Sequence, residues 1–152
     1  MKRYSFKSSF GVTTLFCKNN KIVKILIDSD AAYHDEPNEV LLETQKQIEE
    51  YFKRKRTEFT FPIEIEGTDF RKEVLLTMKK IPYGKTWSYS DLAIGSGHPK
   101  AVRAVGTVCK NNPLPLIIPC HRVIQKSGDI GYFNGGVEMK KSLLKIEKVF
   151  FD

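Results

Sequence analysis

The change of hydrophobic period along the chain is the feature that most limits how it can fold. Three short apolar runs come first, at residues 4–10, 12–17 and 22–27, and Gly11 and a polar turn separate them. Short β-rich runs separated in this way predict antiparallel strands of one small sheet. From about Pro37 the apolar residues recur at helical spacing instead. A sheet confined to the start and helices after it predict an α+β fold.

The first lobe, residues 1–66, is predicted to hold this sheet and one helix, and its role is expected to be structural support. A basic run at residues 53–56 should fall in the last turn of the helix, where cations favour the helix dipole. Residues 59–65 are predicted to form a linker with one strand-like stretch around Pro62. The residues expected on the buried face of the helix are Val40, Leu41, Ile48, Tyr51 and Phe52.

The second lobe, residues 67–152, is predicted to be mainly helical. Its first helix should be capped by Thr68 or Asp69 and should bury Phe70, Val74, Leu75 and Met78. Two short helices should follow. The first, residues 89–94, has a capping-box start at Ser88 and Asp91 and breaks at residues 95–97, and the second runs from Pro99 to about Lys110. Helix, glycine turn and helix predict a helix-turn-helix, although plain helical corners share the pattern.

Cys120 and His121 stand side by side between two contrasting segments. An apolar run at residues 114–118, expected to be a buried strand, precedes them, and a glycine-rich loop at residues 128–136 follows. A cysteine next to a histidine is compatible with an activated thiolate, but by itself such a pair is more often a structural cysteine beside a satisfied histidine. A final helix is expected to carry Glu147 in its last turns and to bury Met139, Leu143 and Ile146. Its lysines should face outward, namely Lys140, Lys141, Lys145 and Lys148.

The charge distribution narrows the possible partners. The formal net charge is +7, and residues 71–152 carry 14 Lys and Arg against 6 Asp and Glu. A basic half favours a polyanion such as nucleic acid, although a merely soluble basic surface has the same composition.

Cysteine and histidine usage bears on the compartment and on metal binding. The three cysteines, Cys17, Cys109 and Cys120, are too widely spaced for a disulfide framework, which favours a reducing compartment. The three histidines are equally scattered, and their spacing indicates no metal site. No apolar run is long enough for a membrane span, and the polar start does not resemble a signal peptide.

At this point the motifs in the second lobe can be compared with a known family. In order they are Ile81-Pro82-Tyr83-Gly84-Lys85-Thr86, Ser88-Tyr89, Lys100-Ala101-Val102-Arg103-Ala104-Val105-Gly106, Asn112-Pro113, Pro119-Cys120-His121-Arg122-Val123, Gly135-Gly136, and Lys140 through Leu143-Leu144 to Glu147. Together they resemble the O6-alkylguanine-DNA alkyltransferase family, a group of direct-reversal DNA repair proteins. The resemblance covers residues 68–148, whereas the first lobe resembles the family only in outline.

The resemblance implies a one-shot, irreversible transfer of an alkyl group from O6 of guanine, with O4 of thymine as a further candidate, to Cys120. It implies that His121 accepts the thiol proton through a water and that Glu147 orients the imidazole. Tyr89 would donate a proton towards the guanine. No cofactor and no metal are implied.

The resemblance also implies how DNA is bound. Arg103 would fill the space left by an extruded base, and Lys100, Ala101 and Ala104 would lie with it against the minor groove. The pocket and its support would come from Asn112, Val123, Phe133, Asn134 and Lys140. Many relatives have Tyr-Ser where this chain has Phe133-Asn134, so the pocket wall is expected to differ. The expected partner is double-stranded DNA containing O6-alkylguanine, bound by a monomer in the cytoplasm, or in the nucleus of a eukaryote.

Three other functions remain open at this stage. A non-reactive alkyltransferase-like protein would bind lesions without reacting, but such relatives usually carry tryptophan where this chain has Cys120. A transcriptional activator with a borrowed alkyltransferase lobe would need a further DNA-binding or metal domain. A cysteine hydrolase would turn over an ester, whereas a thioether on Cys120 could not be hydrolysed.

Overall fold

The computed structural model describes residues 1–30, 32–131, 133 and 135–150. The chain divides into two compact units, Met1–Glu66 and Gly67–Asp152. Over the described residues, no helix has the length and apolar character needed to cross a membrane. In the same ranges, no group of three or more His, Cys, Asp or Glu side chains could hold a metal ion.

The first unit contains a three-stranded antiparallel sheet in the order β1 (Lys2–Ser8), β2 (Gly11–Lys18) and β3 (Lys21–Leu26). The β2–β3 turn is made by Asn19 and Asn20, both with positive φ, at 53° and 60°. Two left-handed residues match the twist of a tight hairpin, and asparagine adopts this conformation more readily than most residues. The predicted sheet is confirmed, and its strand ends differ from the expected ones by a few residues.

Helix α1 (Glu39–Phe52) follows the sheet. It begins after Asn38, whose side chain accepts a hydrogen bond from the Leu41 amide. The predicted buried face is confirmed at Leu41, Ile48 and Tyr51, whereas Val40 and Phe52 are only partly covered. The prediction for residues 53–56 is wrong, because the helix ends at Phe52 and Arg54 takes a positive φ of 60°, which no helix can continue.

The predicted strand-like stretch near Pro62 appears as a single parallel bridge between Ile22 and Ile63. Gln47 of α1 is buried and holds the segment just before this bridge. Its side-chain oxygen accepts a hydrogen bond from the Thr60 N–H at 2.8 Å. One side chain of α1 thus satisfies a main-chain donor of this segment, in addition to the bridge at Ile63.

The second unit starts with α2 (Asp69–Met78), which Thr68 caps by accepting from the Arg71 amide. The helix-turn-helix follows as α3 (Tyr89–Gly95) and α4 (Val102–Lys110). The capping box at Ser88 and Asp91 is confirmed, with both reciprocal hydrogen bonds present. The predicted start of α4 at Pro99 is wrong: Ala101 at φ −109° and ψ 37° is the N-cap, so Lys100 and Ala101 precede the helix.

The apolar run before Cys120 is not a strand as predicted. Residues 114–118 form turns, in which the Ile118 N–H donates to the Leu114 carbonyl at 2.9 Å and Leu116 has a positive φ of 79°. The prolines at positions 113, 115 and 119 lack the N–H that a strand ladder needs, which explains the departure. A short 3-10 helix, Cys120–Arg122, follows the turns.

Two elements complete the second unit. Strand β5 (Val123–Ile124) pairs in parallel with β4 (Trp87–Ser88), which immediately precedes α3. Helix α5 (Val137–Ile146) buries Leu143 and Leu144 and ends at Glu147, its C-cap. The expectation that Lys140 faces outward is wrong, because Lys140 is fully buried on the same face as Leu143 and Leu144.

Candidate active site

Cys120 lies at the start of the 3-10 helix and is 8% exposed. Its amide N–H donates to the Ile118 carbonyl at 2.8 Å, and the Pro119 carbonyl accepts from the Arg122 N–H at 2.9 Å. These bonds set the thiol at the end of a tight turn instead of along an extended strand. Successive side chains of a 3-10 helix point about 120° apart, so the thiol and the neighbouring imidazole diverge.

His121 faces Glu147 from inside the protein. Its Nε2 lies 2.6 Å from Oε2 of Glu147, and both side chains are 0% exposed. Because Glu147 is ionised, Nε2 carries the proton and donates, which leaves Nδ1 as the basic position of the neutral ring. The pair therefore has the arrangement of a base and the group that orients it.

Arg122 is the cation that pairs with Glu147. Its Nε donates to Oε1 of Glu147 at 2.8 Å and its Nη2 donates to Oε2 at 3.1 Å, which is the two-point contact typical of arginine and carboxylate. Its Nη1 also donates to the Ile81 carbonyl at 2.6 Å. The Gly84 N–H completes the set by donating to Oε1 at 3.0 Å. We call His121, Arg122 and Glu147 the ionic cluster.

Burial disfavours the charged forms of Glu147 and His121, and the neighbouring hydrogen bonds and charges determine the net direction of each pKa shift. Burial raises the pKa of Glu147, but the hydrogen bonds from His121 and Arg122 and the positive charge of Arg122 outweigh it and lower that pKa to about 2. Burial lowers the pKa of His121, which its contact with Glu147 only partly offsets. Glu147 is therefore an anion, and His121 is held neutral and available as a base.

Lys140 lies among groups of the same site. Its ammonium donates to the Val123 carbonyl at 2.5 Å and lies 6.0 Å from the centre of the Tyr89 ring. Burial lowers the pKa of Lys140 to about 8, although the electrostatic interactions with Cys120 and Cys109 act to raise it. Burial also raises the pKa of Cys120, while the Asn112 side chain and Lys140 act in the opposite direction. A cation thus lies close enough to Cys120 to favour its thiolate.

Cys109 of α4 is a second buried thiol near this site. Burial and the neighbouring Cys120 raise its pKa to about 12. A thiol with this pKa is protonated at neutral pH and is a poor nucleophile. Burial raises and Lys140 lowers the pKa of both thiols, so the hydrogen bond from the Asn112 side chain, which lowers the pKa of Cys120, is what differs between their surroundings.

Tyr89 is held between two glycines. A Cβ added at Gly131 would lie 3.3 Å from the Tyr89 hydroxyl, and one added at Gly106 would lie 3.9 Å from its ring. Gly131 also has a positive φ of 79°, which side-chain-bearing residues rarely adopt. The tyrosine therefore occupies a narrow slot between α4 and the loop, beside the Lys140 ammonium.

Asn112 bridges the end of α4 and the segment before Cys120. Its Nδ2 donates to the Ile118 carbonyl at 2.8 Å, and its Oδ1 accepts from the Leu114 N–H at 3.0 Å. Phe133, in the glycine-rich loop, is buried at 7% exposure. Asn134 lies outside the described residues, so the prediction for it stays a prediction. Val123 is buried and contributes its carbonyl to Lys140.

The exposed surface of α4 carries the predicted DNA-binding residues of the helix itself. Arg103, Ala104, Thr107 and Lys110 are exposed, and Val105, Val108 and Cys109 face inward. We call these four exposed residues the α4 face. Lys100 is exposed just before the helix, and Ala101 is half-buried there. Among the described site residues, Cys120, His121, Glu147, Val123, Phe133 and Lys140 are buried, and Tyr89 and Asn112 are half-buried. The predicted DNA contacts Lys100, Arg103 and Ala104 are exposed.

Comparison with known proteins shows which family this chain belongs to. The 6-O-methylguanine DNA methyltransferase DNA binding domain matches residues 69–149, and the 6-O-methylguanine DNA methyltransferase ribonuclease-like domain matches residues 1–65. The chain belongs to this methyltransferase family. The family assignment made from the motifs around Cys120 is confirmed.

Individual relatives are similar over most of this chain. The constitutive methylated-DNA–protein-cysteine methyltransferase of Bacillus subtilis is 42% identical over 78% of this chain and 72% of its own length. The inducible one of the same organism is 47% identical over 67% of this chain and 57% of its own length. Among solved structures, Mycobacterium tuberculosis OGT in complex with DNA has a TM-score of 0.88 and 32% identity, covering 97% of this chain and 93% of that one. This likeness also confirms the α+β fold.

Sequence reasoning missed part of the site. No partner for Arg122 was predicted from the sequence, and the contributions of Ile81 and Gly84 to the ionic cluster were not anticipated. These contacts join residues 41 and 63 positions apart, so no local pattern could reveal them. Their only sequence signal was that residues 81–84 belong to one of the family motifs.

Proposed function

We propose that this protein repairs O6-alkylguanine in double-stranded DNA by moving the alkyl group, once and irreversibly, onto Cys120. The observation that carries the proposal is a buried cysteine next to a histidine that is hydrogen-bonded at 2.6 Å to a buried carboxylate, in a chain of this family. The names of the relatives and the DNA in the Mycobacterium tuberculosis structure support the same reaction and substrate.

In the proposed reaction, His121 removes the proton of Cys120. A water between the thiol and Nδ1 would carry it, since the two side chains diverge from the 3-10 helix. Glu147 stabilises the imidazolium that results, and it is ionised at any working pH because its pKa is about 2. The buried Lys140 ammonium stabilises the thiolate electrostatically.

The thiolate then attacks the alkyl carbon in line with the O6 bond. The S–C bond forms as the C–O6 bond breaks, and the electron pair of that bond passes to the guanine. Tyr89 donates a proton towards the guanine from its slot beside Gly131. The products are S-alkylcysteine and intact guanine, and a thioether has no route to hydrolysis, so each molecule acts once.

The α4 face is the proposed DNA contact. Arg103 would take the space of the extruded nucleotide, and Ala104 with the half-buried Ala101 would let the backbone approach the minor groove closely. Lys100, just ahead of the helix, would contact phosphate. Most of the affinity would then come from the backbone of the DNA and would fall with added salt.

The pocket is proposed to form around Val123, Phe133, Asn134 and Lys140, supported by Asn112. The Val123 carbonyl already accepts from Lys140, so a guanine amine would share this oxygen with the ammonium. The protein is proposed to act as a monomer, without a cofactor, in the compartment that holds the DNA. The first unit is proposed to support the second.

Intact mass after incubation with duplexes carrying O6-methylguanine or O6-benzylguanine tests this function. We expect one alkyl group per protein, located on Cys120, and no further turnover. Cys120→Ala should abolish transfer but still bind DNA, and Cys17→Ala in the first unit is the matched control that should react normally. Label on another residue, or transfer by Cys120→Ala, would refute the proposal. The benzyl arm reports how large an alkyl group the Phe133-Asn134 wall admits.

A further inference from the structure

Gln125 stands beside Tyr89 because of the small parallel sheet. In that sheet Trp87 pairs with Val123 and Ser88 pairs with Ile124. Tyr89 and Gln125 are the next residues on the two strands, so both chains leave the sheet side by side. Tyr89 turns into α3, whereas Gln125 opens a hairpin.

The hairpin holds the Gln125 backbone in place. Its N–H donates to the Asp129 carbonyl at 2.8 Å, and its carbonyl accepts from the Gly128 N–H at 2.9 Å. Gly128 has a positive φ of 94°, which suits the tight turn. The Gln125 side chain is exposed, and within the described residues its amide makes no hydrogen bond. A rigid backbone therefore presents an unused donor and acceptor.

An open groove lies beside Gln125. Gln125 contributes to its lining together with Tyr89 and with residues of α4, namely Val102, Arg103, Gly106, Thr107 and Lys110. The helix brings two cations and a hydroxyl to the groove, and these lining residues include no carboxylate. An anionic chain fits such a lining, and a sugar-phosphate backbone is the anionic chain that the proposed function supplies.

We propose that Gln125 holds the lesion-bearing strand against α4, with its side-chain amide donating to a phosphate oxygen next to the extruded nucleotide. This inference rests on the proposed function and adds a contact from outside the helix-turn-helix. Arg103 and Lys110 approach the strand from α4, and Gln125 approaches it from the hairpin. The strand is thereby gripped beside Tyr89, where the lesion must enter.

The contact is electrically neutral, and this property separates it from the lysine contacts. Loss of one hydrogen bond to a phosphate should lower affinity about tenfold without changing how many counterions the protein displaces. Loss of a lysine contact should lower affinity and also reduce the slope of log Kd against log salt by about one.

The test compares transfer from a duplex with transfer from free O6-benzylguanine base, which needs no strand contact. In Gln125→Ala the ratio of the duplex rate to the free-base rate should fall about tenfold, with an unchanged salt slope of DNA binding. In Gln125→Glu, which keeps the size but brings a carboxylate to the phosphate, the ratio should fall further. Lys110→Ala is the control that should reduce the salt slope.

Several outcomes would overturn the inference. An unchanged ratio in both Gln125 variants would show that the amide does not touch the strand. Equal losses on duplex and free base would show that Gln125 acts on the pocket instead. Failure of the unmodified protein to take label from the duplex would refute the proposed function itself, which the Gln125 variants alone cannot do.

Discussion

The ionic cluster and the α4 face lie in one compact unit but are built on opposite principles. The cluster is inside, and its charges are satisfied by each other and by the main chain at Ile81 and Gly84. The α4 face is at the surface, and within the described residues the Arg103 guanidinium has no partner. The charges of the first arrangement are paired within the protein, whereas the second presents its charge to a ligand.

This difference shows how the proposed chemistry at the ionic cluster is separated from DNA binding at the α4 face. Charges in the cluster are barely screened by salt, so the direction in which the imidazole points is set before DNA arrives. Charges on the α4 face are screened and adjustable, which suits a surface that must accept any sequence around a lesion. Variants in the cluster should therefore affect folding and chemistry, and variants on the α4 face should affect DNA handling alone.

The largest expected effect comes from Glu147→Gln. This change leaves the buried Arg122 charge without its anion, and breaking a buried ion pair in this way typically costs about 3–5 kcal/mol. Urea unfolding should show this loss in the free energy of unfolding, and transfer per folded molecule should also fall. Glu138→Gln, at an exposed position of the first turn of α5, is the matched control and should be close to neutral. Equal stability of the two variants would contradict the role given to the cluster.

Acid should weaken the fold through the same carboxylate. The pKa of Glu147 in the folded protein, about 2, is below its ordinary value of 4.5, so the stabilisation is present above pH 4.5 and is lost as the pH falls towards 2. A shift of this size corresponds to about 3 kcal/mol. Urea unfolding between pH 6 and pH 2.5 measures it.

The Glu147→Gln variant separates the contribution of Glu147 to acid destabilisation from that of His121. The pKa of His121 is lowered by burial, so it adds a loss of stability that begins already below pH 6.5. Glu147→Gln should keep that earlier loss but should lack the drop between pH 4.5 and pH 2.5. A variant with the same acid slope as the unmodified protein would show that another carboxylate is responsible.

The smallest of these effects is expected for Arg103→Ala, and it should appear only with duplex DNA. Extruding a base costs a few kcal/mol, so losing the side chain that fills its place should slow duplex transfer about 30-fold, equivalent to about 2 kcal/mol. Stability should not change, since the side chain is exposed. Lys100→Ala is the control that should weaken binding in a salt-dependent way without slowing transfer at saturating DNA. If Arg103→Ala slowed transfer from the free O6-benzylguanine base as much as transfer from duplex DNA, the assignment of the α4 face to DNA handling alone would be wrong.

Local patterns predicted most of the secondary structure. The β2–β3 hairpin follows from two asparagines that tolerate positive φ, and α3 follows from a capping box, so neither depends on distant residues. Two of the predictions about secondary structure were wrong. Residues 53–56 were expected within α1, and residues 114–118 were expected to be a strand because they are apolar. The prolines around that second segment already argued against a ladder.

The sequence by itself determined the order of elements, the nucleophile Cys120, its neighbour His121 and the family, because these depend on residue types at short spacing. Only the tertiary structure decided how the site is charged. Glu147 meets His121, Arg122 and Gly84 across 26, 25 and 63 positions of chain, and Lys140 turns inward to the Val123 carbonyl instead of outward to solvent. The physical reason is that burial and long-range hydrogen bonds set the protonation of these groups, and neither can be read from neighbouring residues.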